Sequence, residues 1–412
     1  MILNRIWTGM ILIAIVMGFS KLIFWEDTVI LQKMVDSLSD AAKNGFEISL
    51  YLTGTLCVWM GIMKIGEDGG AVRIMSKAVA PLFSRLFPEV PAGHPAIGSM
   101  MMNISANMLG LDNAATPMGL KAMNDLQSLN EDKKTATNAQ IMFLVLNASG
   151  LTIIPVSIFA ARAAAKSEHV TDVFLPILIA TFFATLAGII YVGIRQRINL
   201  FNKVILAYIG GLTILVGGLI FYLNQFPEQV SLVSSILSST TIFLFIGGFV
   251  ALAAFRKVNV YDSFIEGAKG GFSTAINIMP FLVAMLLAIA LFRSCGALDE
   301  ILKLLKNGLL VLGLTAVEFI DALPVMLMKP FSGSGARGLM IEIFNNPKFG
   351  PDSFTGYLSS TFQGSTETTF YVLAVYFGSV GVSNTRYAAT AGIICDIIGG
   401  IAAIFITYLF FS

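Results

Sequence analysis

The strongest constraint on this chain is a series of apolar runs, each about as long as a bilayer is thick. They lie at roughly 6–25, 47–66, 139–161, 173–194, 204–223, 231–255, 273–292, 308–328, 355–378 and 388–411. About 20 apolar residues in helical conformation cross the hydrocarbon core. Only 12% of the residues are charged and 56% are hydrophobic, where an ordinary soluble domain is about one-quarter charged. The expectation is an all-α polytopic membrane protein of about ten spans. The first run follows Arg5 and is succeeded by "KLIFWEDT" rather than a small-residue cleavage site, so it reads as a retained helix. A net charge of +1 supplies no field for nucleic acid. Two histidines and the scattered Cys57, Cys295 and Cys395 offer no metal-ligand spacing. No cofactor and no metal are expected. There is also no nucleotide-binding loop and no clustered catalytic set, so the chain is not expected to be an enzyme.

The sequence repeats itself. "DSLSDAAKNGF" (36–46) matches "DSFIEGAKGGF" (262–272) without a gap, and at the same offset Gly70-Ala71 recurs as Gly296-Ala297. Further on, "NAATPMGL" (113–120) lies opposite "SGSGARGL" (332–339), and "NASG" (147–150) opposite "QGST" (363–366). One extra run, 204–223, separates the copies. Arg195, Arg197 and Lys203 precede it, whereas "NQFPEQ" follows it; the positive-inside rule puts the first flank in the cytoplasm. The segment 95–120 is apolar but broken by Asn103, Ser105, Asn107, Asp112 and Asn113. It reads as a re-entrant hairpin, which is tolerated only where protein or a water-filled cavity satisfies its backbone. Five crossings would then separate equivalent points, and an odd number inverts the second copy. Inverted repeats with broken helices at the midplane are a transporter architecture. "GGAVRIMSKAVAPLFSRLF" (69–87) has the pattern of an interfacial helix.

Four polar breaks interrupt the apolar pattern: "GLDNAATP" (110–117), "NASG", "FSGSGARGL" (331–339) and "QGSTETT" (363–369). In the first, Thr116-Pro117 has the form of an N-cap followed by proline at the first helical position, which would start a half-helix near 113–116. Small and hydroxyl residues in such segments also serve close helix packing. Glu367 is the exception, because a carboxylate in a membrane segment is costly unless paired or protonated. Its bland alternative is an ion pair with Arg337. Asp321 and Asp396 are further intramembrane acids, each open to a structural or a coupling role. Asp112 reads either as a helix cap or as a second coupling group.

"LMKPFSGSGARGL", "GPDSF" and "SSTFQGSTETTFYVLAVYFGSVGVSNTR" resemble the spore maturation protein B family. "MGIMKIGEDGG", "FPEVPAGHPAIGSMMMNISANMLGLDNAATPMGLKAM" and "NASGLTIIP" resemble the spore maturation protein A family. The chain thus looks like a fusion of the two: an A-like repeat over 1–200, a linker helix over 201–230 and a B-like repeat over 231–412. Both families carry the nucleoside-recognition (Gate) domain, which also occurs in concentrative nucleoside transporters and in the membrane part of the ferrous iron transporter B. That resemblance implies a solute site lined by Asn113, Ala114, Thr116, Asn147, Ser149, Ser332, Ser334, Gln363, Thr366 and Glu367, with Glu367 and Asp112 as ion-coupling acids. The expected function is secondary transport, or flippase-like carriage, of a small polar or anionic, nucleoside-like solute across the cytoplasmic (inner) membrane, coupled to a proton or cation. The partners would be that solute, the lipid bilayer and, open at this point, a second or third copy of the chain. A non-transporting scaffold of cell-envelope or spore maturation is the alternative from a different class.

Overall fold

A computed structural model describes residues 2–91, 93–109, 112–226, 230–311 and 317–411. In chain order the helices are α1 (Ile2–Phe24), α2 (Ile30–Asp68), α3 (Ala71–Leu86), α4 (Pro95–Met108), α5 (Asp112–Ser128), α6 (Asn138–Ser149), α7 (Val156–Ala164), α8 (Phe174–Arg195), α9 (Lys203–Ile205), α10 (Gly211–Gln225), α11 (Val230–Phe255), α12 (Val260–Ser294), α13 (Ala297–Val311), α14 (Leu323–Met328), α15 (Gly333–Asn345), α16 (Phe354–Ser365), α17 (Thr369–Ser379) and α18 (Ala388–Phe411). A π-helical turn, Leu206–Gly210, joins α9 to α10, and a 3-10 turn, Glu318–Ala322, leads into α14. Among the described residues the one non-helical pairing is an isolated bridge between Thr135 and Asn384.

Among the described residues, five helical stretches are long and apolar enough to cross a bilayer: Trp7–Phe24, Ile30–Asp68, Phe174–Arg195, Lys203–Tyr222 and Ala388–Phe411. A sixth arises if Leu282–Ser294 and Ala297–Gly308, bent by 71°, count as one. With so many apolar helices in one chain, this is a multi-pass membrane protein. The expectation of about ten spans is met only in part. The runs at 139–161 and 355–378 are broken helix pairs rather than single helices, and the run at 308–328 crosses 312–316, outside the described residues. The runs at 47–66 and 273–292 are the ends of longer helices that begin at Ile30 and Val260.

At a rise of 1.5 Å per residue, the 39 residues of α2 reach roughly 58 Å, well beyond the hydrocarbon thickness. What keeps its charged first half helical is packing. α2 and α12 lie along each other, and glycines set their separation. A Cβ on Gly271 would sit 2.7 Å from the Leu56 carbonyl oxygen, and one on Gly267 would collide with the Met60 carbonyl oxygen. Gly267 and Gly271 form the small-xxx-small spacing that lets two backbones approach. Gly271→Leu is therefore expected to push the helices apart and cost about 1–3 kcal/mol, read as a lower melting temperature in detergent. Gly217→Ala, in open space on α10, should leave it unchanged or slightly raised.

The repeated sequence is matched by repeated local structure. Gly70 and Gly296 adopt φ +83° and +82° and start α3 and α13 in the same left-handed turn. Glycine is required there because a side chain clashes with the backbone at positive φ. The half-helices α6 and α16 are 12 residues each, and each is N-capped by a hydroxyl. Thr137 caps α6 in a reciprocal box with Gln140, and Ser353 Oγ accepts from the Gly356 N–H. One expectation is corrected. The helix thought to begin near 113–116 begins at Asp112 and carries Pro117 inside it, so Thr116-Pro117 is not a capping pair. The proline costs that helix one backbone bond.

The two ends of the bundle are tied by loops. At one end, Ala136 N–H donates to the Asn384 carbonyl and Asn384 N–H to the Lys134 carbonyl. At the other, the wholly buried Arg162 of α7 reaches Asp352, which also accepts from the Ser167 hydroxyl. Beside it, burial pushes the Asp172 carboxyl above its usual range, and His169 and Arg162 pull it back.

Candidate functional site

A half-helix ends with unsatisfied backbone groups, so where several such ends meet, the interior becomes polar. α6 stops at Ser149 because Gly150 turns left-handed (φ +57°), and 151–155 run without helical structure to α7. α16 stops at Ser365, and Thr366 is extended (φ −149°, ψ 170°) before α17 resumes. These two breaks touch. Glu367 N–H donates to the Ala148 carbonyl at 2.9 Å, and a Cβ on Gly150 would press on Glu367 Cγ at 3.0 Å. The third break, between α14 and α15, joins them. The Gln363 side-chain Nε2 donates to the Gly333 carbonyl at 3.2 Å, and a Cβ on Gly333 would meet Thr368 Oγ1. The end of α4 completes the chain of contacts, since Ile153 N–H donates to the Met108 carbonyl at 2.7 Å. Three of the four breaks picked out by their polarity therefore lie together, with the end of α4, which precedes the fourth, beside them.

Where they meet there is a cavity of about 110 Å³. Its polar side chains come from Thr152, Ser157, Lys329, Arg337, Gln363, Thr366, Glu367 and Thr368. Lys329 is buried, while Glu367 is exposed. Two cationic side chains and one carboxylate give the lining a positive balance. The Gln363 Oε1 is buried with no hydrogen-bond partner among the described residues, a cost that a native interior normally avoids. A larger cavity, about 600 Å³, lies among α2, α12, α13 and α15. It holds the ion pairs Arg293–Glu342 and, at its edge, Lys306–Asp321 (2.8 Å). None of the four breaks lines it except through Leu339, so size does not decide between the two and chemistry favours the smaller.

Of the residues expected at the site, Gln363, Thr366 and Glu367 line this cavity. Ser332 and Ser334 lie at its edge: Ser332 Oγ accepts from the Gly335 N–H as the cap of α15, and the two hydroxyls are 3.2 Å apart. Ser149 is buried against the Leu146 carbonyl and Thr185. Thr116 is exposed on α5. The side chains of Asp112, Asn113 and Ala114 lie outside the described residues. Asn147 belongs to a neighbouring network. Its Oδ1 accepts from Asn107 Nδ2 at 2.8 Å and from the Tyr376 hydroxyl at 3.3 Å, and its Nδ2 donates to the Phe143 carbonyl. Asn103 Nδ2 extends this network to Tyr376 and to the Ala115 carbonyl. It locks α4, α6 and α17 beside the breaks. Asn147→Ala strips a buried and a part-buried donor of their acceptor and is expected to cost about 1–3 kcal/mol, read as earlier thermal unfolding. Asn147→Asp keeps the acceptor and should lose less.

Two parts of the lining carry little signal in the sequence. Lys329 precedes a proline in an apolar stretch, and only its charge in such company marks it. Thr368 and Thr152 carry no signal beyond membership of a polar run. The buried acid next to the break is Asp396 on α18, not Glu367.

A family model described as nucleoside recognition (Gate) matches residues 49–165, which contain the breaks after α4 and α6. Spore maturation protein B of Bacillus subtilis (strain 168) is 43% identical over 176 residues, covering 43% of this chain and 96% of that protein. Spore maturation protein A of the same organism is 36% identical over 187 residues, covering 45% of this chain and 92% of that protein. No solved structure matches at a significant level.

Proposed function

The chain belongs to the spore maturation protein A and B families, and from that membership and its site we propose a secondary transporter of the cytoplasmic membrane. The observation that carries this reading is the cavity at the meeting of three breaks, lined by Lys329, Arg337, Gln363 and Glu367. Irregular backbone inside a membrane protein is tolerated where it lines a cavity, and converging half-helices are how transporters bind polar solutes. Two cations favour an anionic solute or one rich in hydrogen-bond acceptors. The unpartnered Gln363 Oε1 calls for a donor from the solute.

A drug-sized or nucleoside-sized ligand needs a pocket of about 300 Å³ or more, and this cavity is about 110 Å³. A nucleoside would therefore bind only after the breaks move apart, whereas a small anion fits as the cavity stands. The recurrence of helix lengths and of the Gly70 and Gly296 turns supports two Gate repeats, 1–200 and 231–412, joined by the linker helix 201–230. In the inverted arrangement, single cysteines near 36 and near 262 react with impermeant reagent from opposite sides; labelling from one side refutes it. Glu367, open to the cavity, is the acid at which solute and coupling ion would meet.

The transport reading is tested by ligand-induced thermal stabilisation in detergent across nucleosides, small organic anions and lipid precursors. At least one class should raise the melting temperature of the wild type and fail to do so in Glu367→Gln or Arg337→Gln. No response across the whole panel favours a scaffold role.

A further inference from the structure

α18 presents an unusual face to the break between α16 and α17. Gly392, Asp396 and Gly399 lie on that face, one turn apart. A Cβ on Gly392 would run into the Thr369 side chain, and one on Gly399 would sit 3.0 Å from Thr366 Cγ2 and 3.4 Å from the Ser365 carbonyl oxygen. The two glycines thus bring the unwound segment against the helix on either side of Asp396. The Asp396 side chain is more than nine-tenths buried. Among the described residues neither carboxylate oxygen forms a hydrogen bond of good geometry, nor does the buried Thr369 hydroxyl, although the Thr366 and Thr369 hydroxyls lie close enough to act on the carboxylate. Thr366 and Thr369 are its polar neighbours, and the Lys329 ammonium acts on it through space from the cavity side. Cys395 points the other way, toward Gly188 of α8.

We propose that Asp396, the Thr366 and Thr369 hydroxyls and the Ser365 carbonyl form a binding site for a monovalent, sodium-sized cation. A carboxylate buried against threonine hydroxyls without a well-formed hydrogen bond is a costly arrangement, and a cation held between these oxygens relieves it. All the donors are oxygens, the set that hard cations take. α16 ends at Ser365, so its free carbonyls and the negative end of its dipole face the same point. One carboxylate balances one positive charge, whereas a divalent ion would leave an excess charge buried beside Lys329. The site lies behind the solute cavity and shares Thr366 with it. Occupancy of one therefore bears on the shape of the other. Its use in coupling rests on the transport reading; cation binding itself does not.

The test is direct binding of ²²Na⁺ to the purified full chain in detergent, with thermal stability measured in NaCl, KCl and choline chloride at two pH values. Saturable ²²Na⁺ binding and a rise in melting temperature specific to Na⁺ are expected. Asp396→Asn should abolish both, and Thr369→Val should weaken binding on the order of tenfold. Thr369→Val keeps the shape of the side chain and serves if Asp396→Asn does not fold. Absence of saturable Na⁺ binding by the folded wild type overturns the site. So does a stability that follows pH equally in Na⁺ and choline, Na⁺ binding that persists in Asp396→Asn, or undiminished Na⁺ affinity in Thr369→Val. Na⁺ binding without flux of any solute leaves this site standing and removes the transport reading; flux without Na⁺ binding does the reverse.

Discussion

Arg162→Ala is expected to destabilise the protein by about 3–5 kcal/mol, the usual cost of stranding one half of a buried ion pair. Arg162 is 0% exposed. Its guanidinium donates to Asp352 at 2.7 Å, to the Pro351 carbonyl at 2.8 Å, to the His169 carbonyl and the Ser167 hydroxyl at 3.1 Å, and to the Ser360 hydroxyl at 3.2 Å. It also lies over the Tyr357 ring, 4.7 Å from the centroid. One side chain thereby holds the end of α7, the 165–173 loop, the 346–353 loop and α16. Lysine cannot replace it, because a single ammonium lacks the planar fork that reaches several acceptors at once. Arg162→Lys should therefore lose most of the same stability. Lys43→Ala, at a side chain 73% exposed and 4.0 Å from Glu47, should stay within about 0.5 kcal/mol of wild type. Thermal melting of the purified protein in detergent checks all three. The consequence for function is mechanical. α7 is the far arm of the break at 150–155, so releasing its anchored end should loosen the cavity as well as the fold.

The second large effect concerns the cavity's cations. If the solute is anionic, Arg337→Gln should weaken its binding by about 1.5–3 kcal/mol, the worth of a hydrogen bond to a charged group; that is a loss of roughly tenfold to a hundredfold. Arg337→Lys should recover only part, since a point charge replaces a bidentate donor. Stability should change far less than for Arg162, because Arg337 is only half-buried while Arg162 is fully enclosed. The readout is the concentration of anion that gives half-maximal thermal stabilisation. If neutral and anionic members of the panel lose affinity equally, the cation is not recognising charge, and this part of the account fails.

How much was legible in the sequence depends on whether the signal was local. The breaks were legible because glycine, serine and threonine runs inside apolar spans change the pattern within a few residues. "NASG" and "QGSTETT" do sit at the ends of the matched half-helices α6 and α16, and Glu367 N–H does meet the Ala148 carbonyl. At Gly70 and Gly296 the recurrence of Gly-Ala was legible, but the left-handed turns there were not. The lengths of α2 and α12 were not, because their charged first halves stay helical by packing on the second half of the other helix. Thr116-Pro117 was misread because capping chemistry is a weak signal when packing begins the helix earlier, at Asp112. That Lys329 and Asp396 come near the same break was invisible, since no spacing along the chain brings the end of α14 and α18 together. Glu367 drew notice as a carboxylate in an apolar span, yet it faces open space while Asp396 bears the burial. Nor does "AARAAAK" distinguish Arg162 from any basic residue near a helix end; its partners come from two distant loops.

The central claim is that the converging breaks form a solute pathway, and flux through proteoliposomes tests it most directly. Purified wild type and Glu367→Gln/Arg337→Gln are reconstituted at equal density and offered radiolabelled small organic anions and nucleosides with Na⁺ and pH gradients imposed. Gradient-dependent uptake of at least one solute by the wild type is expected, with background uptake by the double variant, which should remain folded by melting. Equal uptake by both proteins, or no uptake of any solute by a folded wild type, would contradict it.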